Sequence, residues 1–206
     1  MIDYPAALAY FKSNDPVLYA AAHKHGNDLT LPVKAKPHDY AFHLYSSIIS
    51  QQISVKAANA ILKRFLDLVG DPHSPEHILT HSIEDLRSIG LSRQKASYVL
   101  SIAQHAKDKT VRFDTLDSTS DQEVIDELVQ IKGVGQWTAE MFLMFTLARP
   151  DVFSSGDLGL LNAAKKLYDK PQLTKAELLE LSVNWAPHRT TAALVLWRSL
   201  DNIPTI

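Results

Sequence analysis

The chain contains no cysteine, and this removes a block of chemistry at once. Disulfides, thiolate nucleophiles, thiolate zinc sites and iron–sulfur clusters are all excluded. No apolar run approaches the roughly 18 residues that a membrane span needs. The N-terminal stretch MIDYPAALAYFKSND has no basic segment followed by a long apolar one, so no secretory signal is expected. A positive charge excess is missing too. The formal net charge is −2, whereas nucleic-acid-binding domains usually carry a surplus of lysine and arginine. The sum does not decide the matter, because binding follows the distribution of charge. Glycine is scarce, with seven in 206 residues.

What is present reads as helix. Apolar residues make up 46% of the chain, enough for a core. Ser54 precedes a segment in which Val55, Ala58, Leu62, Phe65 and Val69 share one helical face, and Gly70 stops it. Ser74-Pro75-Glu76, Ser82 and Ser92 mark further helix starts. Asp121 leads into another helix, Thr174 with Glu177 forms a capping-box pattern, and Pro187 opens a last helix. No segment alternates cleanly enough for a strand. The prediction is an all-α protein of about ten short helices. Residues 88–103 and 130–145 share a pattern of aliphatic residue, glycine, tight turn and amphipathic helix. That echo suggests two helical lobes within residues 1–206. The central lobe would span about 35–115. The second would span about 116–206 and include the N-terminal helices, with the polar stretch near 110–120 between the two.

Two of the scarce glycines, Gly133 and Gly135, fall in one short turn, QIKGVGQWTAE. Both can take positive φ, which a tight interhelical turn uses. They also leave backbone N–H groups uncovered ahead of a helix starting near Gln136, with Lys132 alongside. That combination suits an anion such as a nucleic-acid phosphate. A plain turn with a glycine cap is the alternative. GVG follows no strand and lacks the remaining glycines and lysine of the dinucleotide and P-loop fingerprints. His73, His77 and His81 are spaced by four, but helix starts at Ser74 and Ser82 break their common face, so solvated histidines are expected rather than a metal site.

The segments SSIISQQISVKAANAILKRF, IGLSRQKASYV, IKGVGQWTAEMFLMFTLARPDVFSSGDLGL and APHRTTAALVLW together resemble the helix–hairpin–helix DNA glycosylase superfamily. Within it they look like the compact 3-methyladenine DNA glycosylase II type, without an N-terminal β-domain. The resemblance implies a monofunctional hydrolase of DNA base excision repair. Such an enzyme flips an alkylated purine out of the duplex and cleaves its N-glycosidic bond. Asp157, twenty positions after Trp137, matches the family's catalytic aspartate. On its own it reads equally as a helix N-cap, and both can hold, since the helix dipole favours a fixed anion there. The resemblance implies that members which also cut the strand carry a lysine in the position of Trp137, where it forms the Schiff base of lyase chemistry. The tryptophan predicts none.

The resemblance puts Trp137, Met141 and Trp197 around the base, although aromatic and Met residues at helical spacing are more often core. It puts Gln52 at the plugging position and Ser54 against the minor groove, where Ser54 also reads as a plain cap. The DNA backbone would meet Lys132, Gly133, Val134, Gly135, Gln136 and Thr138. Carbonyls of Val129, Ile131 and Val134 would hold a sodium or potassium ion, and no other cofactor is required. Gly156 stands where relatives often have a second aspartate before the catalytic one, and Met141 where the longer bacterial enzyme has a pocket tyrosine. The implied partner is double-stranded DNA containing alkylated bases, the implied state a monomer off the membrane. The location would be cytoplasmic in a bacterium or nuclear in a eukaryote. A non-catalytic binder of damaged DNA with the same hairpin is the rival reading.

Overall fold

The computed structural model describes residues 2–26 and 29–200. Those residues form α-helices, 3₁₀ turns and one π-helical turn, with no strand among them. The helices are α1 (Tyr4–Asn14), α2 (Pro16–His25), α3 (Tyr40–Ser50), α4 (Val55–Val69), α5 (Pro75–Leu79) and α6 (Ile83–Ser88). They continue as α7 (Arg93–Lys107), α8 (Asp121–Leu128), α9 (Gln136–Met141), α10 (Leu158–Leu167), α11 (Lys175–Val183) and α12 (Arg189–Ser199).

The start signals in the sequence mostly do what their chemistry allows. Ser54, Ser74, Ser82, Ser92 and Thr174 each accept a hydrogen bond from a first-turn backbone N–H. Three of the caps are reciprocal boxes: Ser82 with Asp85, Ser120 with Glu123, and Thr174 with Glu177. The start of α8 lies one residue earlier than Asp121 suggests, because Ser120 has the partner three positions on that closes the box. The last helix is capped at His188 rather than opened by Pro187.

The chain separates into two compact units. One is continuous, Ala35–Phe142, and the other joins the N-terminal residues through Lys34 to the chain from Leu143 onward. The division therefore falls at Phe142–Leu143 rather than near 110–120, where the sequence is most polar. The polar residues there have partners inside the first unit. Tyr40 donates its hydroxyl proton to Asp117 at 2.6 Å, and Arg112 pairs with Glu127 at 3.0 Å. Both turns of the sequence echo lie in that same unit, so the echo does not mark two lobes. The break that does exist runs through a helical stretch, where α9 passes into a π-helical turn, Phe142–Thr146. No loop-like composition could announce it.

In the continuous unit, α7 is central, with α3, α5 and α6 packed on it. Its buried face is Ala96, Val99, Ile102 and Ala103. In the other unit, α12 packs on α2 and α10, and its residues Thr190 to Trp197 are all buried. Asp15, 7% exposed, ties this unit together. Its carboxylate accepts from the Leu18 N–H at 2.9 Å, the Tyr168 hydroxyl at 2.6 Å and the Trp185 indole N–H at 2.8 Å. Three donors offset the cost of burying one charge. Burial, reinforced by Asp15, raises the Tyr168 pKa well above the ordinary phenol value.

Candidate nucleic-acid hairpin and active-site aspartate

The hairpin between α8 and α9 is built from two consecutive tight turns. The Ile131 N–H donates to Leu128 O at 3.1 Å, and the Val134 N–H donates to Ile131 O at 3.0 Å. Gly133 takes φ +93°, and a Cβ there would overlap the ring of Tyr98 from α7. Gly135 is different. Its φ is −96°, and a Cβ would meet nothing within 4 Å. The expectation that both glycines supply positive φ is thus corrected for Gly135. It sits at the N-cap of α9 and makes no side-chain cap bond. The first N–H groups of the helix, at Gln136, Trp137 and Thr138, have no intrahelical acceptor. Lys132 is exposed beside them, and its backbone N–H donates to the Ser101 hydroxyl at 3.3 Å.

The side chains predicted to touch DNA divide by burial. Lys132, Gly135 and Gln136 are exposed, with the Gln136 amide donating to Glu140 at 2.9 Å. Val134 and Thr138 are 5% exposed, so those two positions offer backbone rather than side chain to a ligand. Trp137 is 37% exposed, the opposite of the core role its spacing allowed, while Met141 is buried at 1%. Gln52 is exposed in the loop between α3 and α4, with φ +57°. Ser54 is the N-cap of α4, accepting from the Ala57 N–H at 3.3 Å.

Asp157 lies in the other unit. It is the N-cap of α10, and its Oδ1 accepts from the Leu160 N–H at 2.8 Å. The same oxygen accepts from the Trp197 indole N–H at 3.2 Å. Asp157 is 8% exposed. Trp197 is 1% exposed and stacks on Phe145, with ring centroids 6.0 Å apart. Expected as a wall for the base, Trp197 is instead a buried holder of the aspartate.

The loop leading to Asp157 is clamped by residues that motif reading passed over. The Thr190 hydroxyl donates to Arg149 O at 2.6 Å and accepts from the Val152 N–H at 3.1 Å. Arg189 grips Asp151 through Nε and Nη2, both at 2.8 Å. Burial pushes the Asp151 carboxyl up, but the Arg189 hydrogen bonds and charge outweigh it and hold the group below its ordinary value. One helix, α12, thus holds both ends of the loop: Arg189 and Thr190 at its start, Trp197 near its end. The available signal was the run HRTTAALVLW, which reads only as a buried helix without the fold. Among the described residues, no group of three His, Cys, Asp or Glu has the geometry to hold an ion.

Comparison with known proteins identifies the family and the fold. The family model of the HhH-GPD superfamily base excision DNA repair proteins matches residues 45–188. A putative DNA-3-methyladenine glycosylase of Bacillus subtilis is 33% identical over 79% of this chain, and the match spans 60% of that protein's length. A crystal structure of a DNA-3-methyladenine glycosidase from Bacillus halodurans superposes with a TM-score of 0.81 at 38% identity, covering 94% of this chain and 88% of its own. The Schizosaccharomyces pombe 3-methyladenine DNA glycosylase Mag1, solved with abasic DNA, gives 0.79 at 32%, covering 94% and 95%. The chain belongs to the HhH-GPD superfamily of base excision DNA repair proteins.

Proposed function

We propose that this protein is a monofunctional DNA glycosylase that hydrolyses the N-glycosidic bond of alkylated purines such as 3-methyladenine. The observation that carries the reading is the Asp157 carboxylate, fixed through one oxygen by two N–H donors on separate helices. Cleavage of an N-glycosidic bond builds positive charge on the deoxyribose, as at glycosidase transition states. A carboxylate that does not have to reorganise stabilises that charge as it develops. An alkylated purine is already a cation and a good leaving group, so no strong general acid is needed. The exposed indole of Trp137 offers such a cation a face for stacking and cation–π contact.

The double-stranded DNA partner is engaged through the hairpin. The start of α9, where Gly135 at the N-cap adds no side chain, and the exposed Lys132 suit a phosphate. Gln52, on its exposed tip, fills the stack when the damaged nucleotide is extruded. The neutral carbonyls of Val129, Ile131 and Val134 suit sodium or potassium. The Ile131 carbonyl already accepts the Val134 N–H, which leaves one lone pair for an ion. The protein acts as a monomer.

The test is Asp157→Asn, which keeps an oxygen for the Leu160 and Trp197 donors while removing the charge. Free base released from methylated duplex DNA should fall by roughly 10²–10³-fold, the scale for losing one electrostatic stabiliser, with the melting temperature and DNA affinity retained. Borohydride should trap no covalent adduct, because Trp137 stands where a Schiff-base lysine would be. Release at the wild-type rate from Asp157→Asn would sink the mechanism. Binding of methylated duplex by the wild type with no release would leave a lesion-binding protein instead.

A further inference from the structure

The hairpin, the Asp157 loop and the Gln52 tip leave Lys95 unexplained. It stands in the first turn of α7, where the helix dipole disfavours a cation. Its ammonium reaches the C-terminal end of α3 instead, donating to the carbonyls of Ile49 at 2.9 Å and Gln51 at 2.6 Å. Burial lowers its pKa from the ordinary lysine value, so this placement has an electrostatic cost that the two carbonyls offset.

The end of α3 needs such a partner. The helix stops at Ser50, and Gln51 leaves in an extended conformation, φ −55° and ψ 132°, with no glycine cap to close back on the last carbonyls. Gln52 follows with φ +57°, in the left-handed region that residues with side chains seldom adopt. Gln52, Ile53 and Ser54 are all exposed. Ser54 then starts α4 by accepting the Ala57 N–H. The tip is thus held at its exit by Ser54 and at its entrance by Lys95.

The same helix also touches the hairpin. One turn on from Lys95, the Tyr98 ring occupies the space where a Cβ of Gly133 would be, and Ser101 receives the Lys132 N–H. The geometry points to Lys95 as a positioning residue. By anchoring the Gln52–Ile53 tip to α7, it fixes the tip against the hairpin that α7 also supports, so that the tip enters the duplex in register with the extruded nucleotide. This rests on the glycosylase reading above.

The experiment compares wild type, Lys95→Met and Lys95→Arg as full chains. The substrate is a duplex with a single 7-methylguanine, either paired with cytosine or opposite adenine. An unpaired nucleotide costs less to extrude, so a tip defect is felt mainly on the paired substrate. Single-turnover release from the paired duplex should fall about tenfold to a hundredfold in Lys95→Met, the scale of an ångström-sized misplacement. From the mismatch it should fall less than about threefold, and Lys95→Arg, which keeps the donor, should recover most of the loss. Equal losses on both substrates, or none, would overturn the proposal. Hydrogen–deuterium exchange supplies a readout independent of activity. Amides of residues 51–57 should exchange faster in Lys95→Met, and Lys95→Gln reads the same effect if the methionine variant does not fold. Unchanged exchange there overturns the anchoring role. A wild type that releases no base, together with faster tip exchange in the variants, would sink the glycosylase reading and leave the anchor standing.

Discussion

A methyl group added at Gly133 would overlap the Tyr98 ring, while one added at Gly135 would meet nothing within 4 Å. Gly133 is therefore held to glycine from inside, by its φ of +93° and by Tyr98. Among the described residues, nothing crowds Gly135 in a way that requires glycine. Gly133→Ala should cost about 1–3 kcal/mol of stability, the price of a strained backbone and an obstructed ring, read as a lower midpoint in urea. Gly135→Ser should leave stability unchanged or slightly raised, because serine is a good N-cap. Its hydroxyl would occupy the N–H groups proposed for phosphate, so affinity for duplex DNA should drop. A Gly135→Ser variant that binds DNA as tightly as wild type would remove the hairpin from the interface. The sequence made this pair conspicuous but not the difference between them. The difference depends on Tyr98, 35 residues earlier, and no local pattern carries that. The same holds for Asp157. Its N-cap geometry was legible in Ser-Ser-Gly-Asp, while the indole that fixes it comes from Trp197, forty residues on.

At the scale of elements, most helix starts were readable where a serine or threonine has its partner within three residues, the start of α8 at Ser120 being read one residue late. Such caps are closed by local hydrogen bonds, and tertiary packing has little say in them. The division at Phe142–Leu143 was not readable, because it is decided by which core each turn of a helical stretch is buried in. The boxes also make a pH-dependent contribution. Asp85 is held below its ordinary value chiefly by the Ser82 hydroxyl, Glu123 by the Ser120 backbone N–H, and Glu177 by the Thr174 backbone N–H. A carboxylate depressed in the folded state contributes stability that is present above its unfolded pKa, about 4, and lost as pH falls through the lower folded value. The starts of α6, α8 and α11 should therefore lose protection together below about pH 4, as seen by the exchange of their first-turn amides. Ser120→Ala should weaken the start of α8 at neutral pH and flatten its response to acid, leaving α6 and α11 unchanged. An acid response of α8 that survives Ser120→Ala would mean that the box is not its source.

For the whole molecule, the net charge of −2 has to be reconciled with a polyanionic partner. The hairpin offers a way, because backbone N–H groups at a helix start bind phosphate without adding a cation. Contacts of that kind release few counterions, and salt dependence counts only the phosphates neutralised by lysine or arginine, with a slope of about −0.9 per phosphate. The protein should therefore show a shallow dependence of log affinity on log salt concentration, on the order of −1 to −3, against about −10 for a strongly basic DNA binder. Lys132→Gln should reduce the magnitude of the slope by about one while weakening binding uniformly across sequences. Gly135→Ser should weaken binding with the slope unchanged, since it removes dipoles and no charge. Titrations of a fluorescent duplex between low and moderate salt separate these outcomes. A steep wild-type slope would mean that a basic surface elsewhere carries the DNA. A slope unmoved by Lys132→Gln would mean that the lysine beside the hairpin faces water and not a phosphate.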